Sequence, residues 1–285
     1  MAHFNLDNAV VAITGASGDL GRHLCAALAA RGARLALMDL DQQSLTAQAE
    51  TLGDASRAHG WVADVRDLEQ VRHAMDAAAA HFGRLDLVIA NAGVATLEPL
   101  AQQSEASFER TIDINLNGVF RTFKAGLPHL RETKGHLLAI ASMASFFNSP
   151  LQGAYTASKA GVLALCNSVR LEVKQQGVTV GSIHPTFFKT PLADQLTEHP
   201  AGRRLYNDNR GLFKLTTVED VVAATIKAIG RRSQKAVVPK RNLPIAAAPE
   251  LMRKLTDRLM FGDQKIKAAL DHFETSAPEQ GDSSS

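Results

Sequence analysis

Short, nearly unbroken apolar runs alternate along the chain with longer segments in which apolar residues recur every three or four positions. Val10–Thr14, Leu35–Met38 and Leu85–Ala90 are runs of the first kind. They lack the in–out alternation of a half-solvated strand and read as strands buried on both faces. Further strands are predicted at His59–Ala63, His136–Ile140, Thr179–His184 and Ala236–Val238. The intervening segments predict helices at Leu20–Ala30, Ser44–Leu52, Leu68–Phe82 and Tyr155–Gln175, with one or two more within Phe108–His129. In the first of these Leu20, Leu24, Ala27 and Leu28 share a face, and Gly32 is a stop signal. Thr216-Thr217-Val218-Glu219 resembles a capping box opening a helix that ends at Ile229. Repeated strand–helix units with apolar strands imply an α/β fold, a doubly wound parallel sheet of seven strands with helices on both faces. No repeat or interdomain linker interrupts it. Residues 1–240 are expected to form this sheet domain, 241–276 a helical extension, and 277–285 a disordered tail.

Between the first strand and the first helix lies TGASGDLGR, with glycines at 15, 18 and 21. Glycines let backbone approach a pyrophosphate, and the following helix offers free N–H groups and its positive dipole end. Asp39 ends the second strand, 18 residues beyond Gly21. A carboxylate there accepts from both hydroxyls of an adenosine ribose and repels a 2′-phosphate. Leu40 follows, not an arginine that would welcome that phosphate. NAD is therefore expected in preference to NADP. Asp19, inside the turn, is expected to cap the helix with its carboxylate turned away from the phosphates.

Tyr155 and Lys159 stand one turn apart on one helix face, and Ser142 follows the fifth strand. The C-terminal ends of parallel strands are where such sheets bind ligands, so Ser142 and Tyr155 can meet there. Hydride removal from an alcohol needs a base, and free tyrosine, with a pKa of about 10, is a poor one at neutral pH. Lowering it by about three units takes about 4 kcal/mol. A lysine charge about 4 Å away supplies that order of energy at an effective dielectric near 20.

With these residues together, the chain resembles the single-domain branch of the short-chain dehydrogenases/reductases, from about Asn8 to Pro239. The resemblance implies a Rossmann sheet and a homodimer or homotetramer built on the helices containing Asn115 and Tyr155. It implies that Tyr155 is the general acid/base, that Lys159 lowers its pKa, that Ser142 orients the substrate oxygen, and that Asn115 holds a water linking the lysine to solvent. Cofactor contacts are implied at Gly15, Ser17, Gly18, Asp19, Leu20 and Gly21 in the turn. Asp64 and Val65 correspond to an adenine contact, Asn91, Ala92 and Gly93 to a segment lining the cofactor, and Thr190 to a carboxamide ligand. Tyr155 and Lys159 also belong to this set. The glycine spacing departs from that branch and is more typical of the longer, two-domain one, which includes nucleotide-sugar epimerases. Ala90 and Thr186 stand where the family has asparagine and glycine.

Composition narrows the partners. Hydrophobic residues make up 45% of the 285 and aromatics only 5%, with a net charge of +2, so no nucleic-acid partner is expected. Cys25 and Cys166 form no CxxC pair and read as buried thiols of a cytoplasmic protein; no metal site is expected. No run approaches the roughly 18 apolar residues of a spanning helix. The substrate pocket is expected from Ser142, Met143, Ala144, Phe146 and Phe147, then Phe187, Phe188, Leu192 and Leu196. Apart from Lys189 these segments are poor in charge, which favours a small apolar alcohol or ketone. Residues 231–267 carry ten basic and three acidic residues, and Pro249–Phe261 places Leu251, Leu255 and Leu259 on one side of a helix. Packing against the domain or a sister subunit, a lid over the substrate, and contact with an anionic membrane surface are all open. The expected activity is interconversion of a secondary alcohol and a ketone. The alternatives are a nucleotide-sugar epimerase or dehydratase and a dinucleotide sensor without chemistry.

Overall fold

A computed structural model describes residues 3–209 and 214–275. Its strands are β1 (Val10–Thr14), β2 (Arg34–Asp39), β3 (Ala58–Val62), β4 (Leu87–Ala90), β5 (His136–Ile140), β6 (Thr179–Pro185) and β7 (Lys235–Val238). All pair in parallel, in the order β3-β2-β1-β4-β5-β6-β7. The helices are α1 (Asp19–Ala29), α2 (Gln42–Leu52), α3 (Leu68–Phe82), α4 (Glu105–Ile112), α5 (Gly118–Thr133), α6 (Gly153–Val173), α7 (Pro191–Thr197), α8 (Pro200–Leu205), α9 (Val218–Gly230), α10 (Leu243–Ala247), α11 (Pro249–Met260) and α12 (Asp263–Thr275). This is the doubly wound Rossmann sheet with a helical C-terminal region.

The central strands are apolar throughout because both faces of the sheet are covered. Val11, Ile13, Leu35, Leu37 and Ile89 face α1, α2 and α9, meeting Leu24, Leu28, Leu45 and Ile229. Val10, Ala12, Met38 and Val88 face α3, α5 and α6, meeting Met75, Phe123 and Val162. Strand order reverses between β1 and β4, so their connections leave to opposite sides and open a crevice at the carboxyl ends.

Caps set several helix starts. Asp41 accepts from Ser44 N, Asp67 from Glu69 N and Gln70 N, and Ser104 from Ser107 N. The cap of α9 is Thr217, accepting from Asp220 N, one residue later than the capping box read in the sequence. Thr216 instead pairs its backbone with the loop after β6, its N–H donating to Phe187 O at 2.9 Å. The segment read as one or two helices is α4 and α5 joined by a π-helical turn, Asp113–Asn117, a form that concentrates at functional sites. β4 begins two residues later than read, because the Asp86 carboxylate accepts from Val10 N and pairs with Arg84.

The C-terminal helices pack on the loop after β6. α12 lies on α8, bringing Ile266, Ala269 and Leu270 to Leu205 and Tyr206. α11 turns Thr256 and Met260 inward, 6% and 5% exposed. Its leucine ridge points out: Leu251, Leu255 and Leu259 are 82%, 49% and 59% exposed. No helix among the described residues is long and apolar enough to cross a membrane. Residues 276–285, read as the end of the extension and the tail, lie outside the described residues.

Two leucines test this packing. Leu24→Ala removes a side chain of 0% exposure from α1 and is expected to cost about 2–5 kcal/mol in urea unfolding. Leu251→Ala is expected to change stability by less than about 0.5 kcal/mol. A Leu251→Ala loss as large as that of Leu24→Ala would show the ridge to be covered in solution.

Candidate active site

A cavity of about 640 Å³ opens at the carboxyl ends of the strands. At one end is the turn after β1. Gly15 has φ +65°, and a Cβ there would fall 2.7 Å from Ala92 Cα. A Cβ at Gly21 would fall 2.2 Å from Gly15 O, whereas at Gly18 the nearest atom is Gly15 O at 3.4 Å. Thus Gly15 and Gly21 let backbones meet, and Gly18 leaves the mouth of the turn clear. Asn91 Nδ2 donates to Thr14 O and Gly15 O at 3.1 and 2.9 Å, tying the segment after β4 to the turn.

Asp39 holds the other side. Its carboxylate accepts from Ser17 N and Leu40 N, each at 2.8 Å. Ser17 Oγ is buried without a partner among the described residues. A glycine cradle, an unpaired hydroxyl and the free N–H groups of α1 fit a dinucleotide pyrophosphate. Asp19 departs from its expected place. Gly18 is the N-cap of α1, with no side-chain cap, and Asp19 is the first helical residue. Its carboxylate lies 3.9 Å from Nδ1 of the exposed His23.

Asp64 and Val65 line the cavity beside Leu20 and Gly21. The Asp64 carboxylate is forked by Arg66, which holds its pKa below the usual range. Ala92 and Gly93 continue the wall, and a Cβ at Gly93 would come within 3.2 Å of Asn115 Oδ1. Thr190 also lines the cavity, and its hydroxyl caps α7 by accepting from Ala193 N.

Ser142, Tyr155 and Lys159 share this cavity. Lys159 is 5% exposed, donates to Ile140 O at 3.0 Å, and stands 5.7 Å from the centre of the Tyr155 ring. Burial pulls its pKa down to about 8. Tyr155 moves the opposite way from expectation: burial pushes its pKa up, and a hydrogen bond with Ser142 offsets only part of this. Asn115 lies behind the cavity wall and near Lys159: a Cβ on Gly93 would fall 3.2 Å from Asn115 Oδ1 and 3.6 Å from Lys159 Nζ. Asn115 is 0% exposed and absent from the cavity wall. Its amide accepts from Val94 N and donates to Val94 O and Ser158 Oγ. It clamps the segment after β4 onto α6.

Met143, Ala144, Phe147, Phe187, Phe188 and Leu196, expected on the substrate side, line the same cavity. Phe146 turns instead toward His184, with ring centres 4.7 Å apart, and the side chain of Leu192 lies outside the described residues. Three further residues had no marker in the sequence. His184 is buried, its pKa pulled down to about 4, and it bonds Ser142 O and Ser182 Oγ. It thereby fixes the backbone of Ser142 as a neutral ring. Ser149 and Gln152 line the cavity and bond to each other and to Tyr206.

Comparison with known proteins agrees with this architecture. The profile of the family described as short chain dehydrogenase matches residues 9–201. The chain is 37% identical over 204 residues to D-threitol dehydrogenase of Mycolicibacterium smegmatis, covering 71% of this chain and 78% of that one. It is 35% identical over 189 residues to 2-dehydro-3-deoxy-L-rhamnonate dehydrogenase (NAD(+)) of a Sphingomonas species, covering 65% and 74%. The crystal structure of a short chain dehydrogenase/reductase from Burkholderia phymatum in complex with NAD superimposes with a TM-score of 0.76 at 27% identity, covering 88% of this chain and 97% of that one. A glycine turn, an acid after β2 and a Tyr–Lys pair in one cavity thus coincide with a family match over most of the chain, and this protein belongs to the short-chain dehydrogenase/reductase family.

Proposed function

We propose that this oxidoreductase interconverts a secondary alcohol and a ketone on a largely apolar skeleton, with NAD(H) as cofactor. The observation that carries the reading is the meeting of Ser142, Tyr155 and Lys159 with the glycine turn and Asp39 on one cavity wall. A bound nicotinamide dinucleotide supplies the hydride acceptor or donor. Ser142 orients the substrate oxygen, and Tyr155 exchanges the proton with it. A tyrosine whose pKa is raised by burial holds its proton at neutral pH, which suits it to act as the acid in ketone reduction. Oxidation needs the phenolate, and the ammonium of Lys159 is the charge at hand to stabilise it. Asn115 and His184 act as positioning residues through Val94 and the Ser142 backbone.

Asp39 supports NAD over NADP. Its carboxylate accepts from two backbone N–H groups and lines the cavity where a ribose 2′-phosphate would bring further negative charge. The NAD held by the Burkholderia phymatum structure agrees with this. The D-threitol dehydrogenase among the relatives is consistent with alcohol oxidation, while the aromatic and aliphatic wall here favours a less polar skeleton. The epimerase reading has less support, because among the described residues the chain after β7 forms three short helices, α11 and α12 packed with the segment after β6 and α10 against Met143 and Val237. The sensor reading has less support because Ser142, Tyr155 and Lys159 are all present in the cavity.

Three measurements test this reading. With NAD or NADH and a panel of apolar alcohols and ketones, Tyr155→Phe is expected to lower kcat/KM by at least about a hundredfold with an unchanged melting temperature. Wild-type turnover of no alcohol or ketone would overturn the proposal. Asp39→Ala is expected to improve NADP relative to NAD by about tenfold or more, read as the ratio of kcat/KM values; an unchanged ratio would remove Asp39 as the discriminator.

Lys159→Met tests the buried charge through stability. Below about pH 8 the lysine is charged both folded and unfolded, so its burial costs the folded state the full amount. Between about 8 and the ordinary 10.5 the folded state releases its proton first. The unfolded state then binds more protons, and stability rises with pH. The depression to about 8 corresponds to about 3 kcal/mol. Lys159→Met is expected to unfold at higher urea than wild type at pH 7, with the gap closing toward pH 10. A constant gap would show that the lysine titrates normally.

A further inference from the structure

Among the described residues, two that line the cavity carry a buried polar atom without a partner. One is Ser17, whose hydroxyl sits in the glycine turn and is accounted for by a dinucleotide phosphate. The other is Gln152, at the opposite end of the site, three residues before Tyr155. Gln152 is 1% exposed, and its Nε2 bonds to nothing.

Its other amide atom is held fast. Oε1 accepts from Ser149 Oγ at 2.7 Å and from Tyr206 OH at 2.9 Å, and the two hydroxyls lie 3.1 Å apart. Tyr206 is fully buried, and burial pushes its pKa far up, so it remains a neutral hydroxyl. Tyr206 is in turn fixed from outside by Phe187, 4.7 Å away ring to ring, and by the C-terminal cluster of Met260, Phe261 and Ala269. The triangle therefore locks the amide plane and leaves Nε2 without a partner in a residue that lines the cavity. A buried polar group without a partner is costly, and native structures keep few of them. A site built to bond a polar group on its substrate discriminates strongly against the analogue lacking that group, because its own buried atom is then unpaired.

Building on the oxidoreductase reading above, we propose that Gln152 binds a second oxygen of the substrate, a hydroxyl on the carbon next to the reacting one or one carbon further. Side chains three positions apart at a helix start are near neighbours, so the amide and the Tyr155 hydroxyl can address two oxygens of one small molecule. A hydroxyl is donor and acceptor in one group and pairs with either end of an amide. The rest of the wall, with Phe147, Phe187 and Leu196, accepts the apolar body. The substrate class is thus a hydroxyketone, or the matching diol, on an apolar skeleton. Gln152 reads the second oxygen, and Tyr155 and Ser142 handle the first.

The test uses propiophenone and its α-hydroxy and β-hydroxy derivatives with NADH, in wild type and Gln152→Met, which keeps the side-chain length. The variant is expected to lose about tenfold to a hundredfold in kcat/KM on at least one hydroxyketone, mainly through KM, and less than about threefold on propiophenone. Comparing each ketone between the two proteins cancels the hydroxyl's own effect on carbonyl reactivity. An equal fall on all three ketones, or no fall, would show Gln152 to be only part of the packing and would overturn the proposal. Ser149→Ala disturbs the triangle but keeps the amide nitrogen, and it is expected to lower the melting temperature more than the discrimination. Should the methionine variant not fold, Gln152→Asn withdraws the amide by one carbon and is read the same way. If wild type reduces none of the three ketones or the wider panel, the oxidoreductase reading itself fails. If it reduces them and the ratio is indifferent to Gln152, that reading stands and the hydroxyl subsite falls.

Discussion

The close approach of two backbones, the turn after β1 and the segment after β4, is the constraint on which this site depends. A Cβ at Gly15 would lie 2.7 Å from Ala92 Cα, against backbone that cannot yield. Because Gly15 has no side chain, Asn91 can reach across and bond the carbonyls of the turn. Asn115, in its π-helical turn, then grips Val94 by both its N–H and its C=O, and its Nδ2 also donates to Ser158 Oγ on α6. One chain of bonds thus runs from the phosphate cradle to the helix that carries Tyr155 and Lys159.

Burial gives the site its electrostatic character. Desolvation raises Tyr155 and lowers Lys159, so the charged form of each is disfavoured by the same low-dielectric wall. His184, also desolvated, is a neutral ring that shapes the Ser142 loop without adding charge.

The C-terminal helices enter the same argument by packing. α12 covers α8, the end of α8 places Tyr206 behind the cavity wall, and Tyr206 orients the amide of Gln152, which lines it. A segment remote from the glycine turn in sequence thereby shapes the substrate end of the site. The helix α11 seats itself chiefly through Thr256 and Met260, while Leu255 and Leu259, half exposed, border a small cavity with Phe147 and Phe187.

The seven strands and the helices around them were legible because sheet burial on both faces writes itself into the sequence as unbroken apolar runs. That Ser142, Tyr155, Lys159 and the glycine turn meet in one cavity was legible because each lies at or just after the carboxyl end of a parallel strand or one helical turn from its neighbour. The cap of α9 was misread by one residue, since Thr216 and Thr217 look alike until the chain's pairing with the loop after β6 takes up the first. Which face of α11 goes inward was likewise undecided by its leucines, because a short helix packs the side that its neighbours can fill. The direction of the Tyr155 shift depends on how much water the fold removes, which no spacing records. Gln152, Ser149, Tyr206 and His184 come from segments far apart along the chain or carry no motif. Only the folded chain brings them together and shows which of their polar atoms is left without a partner.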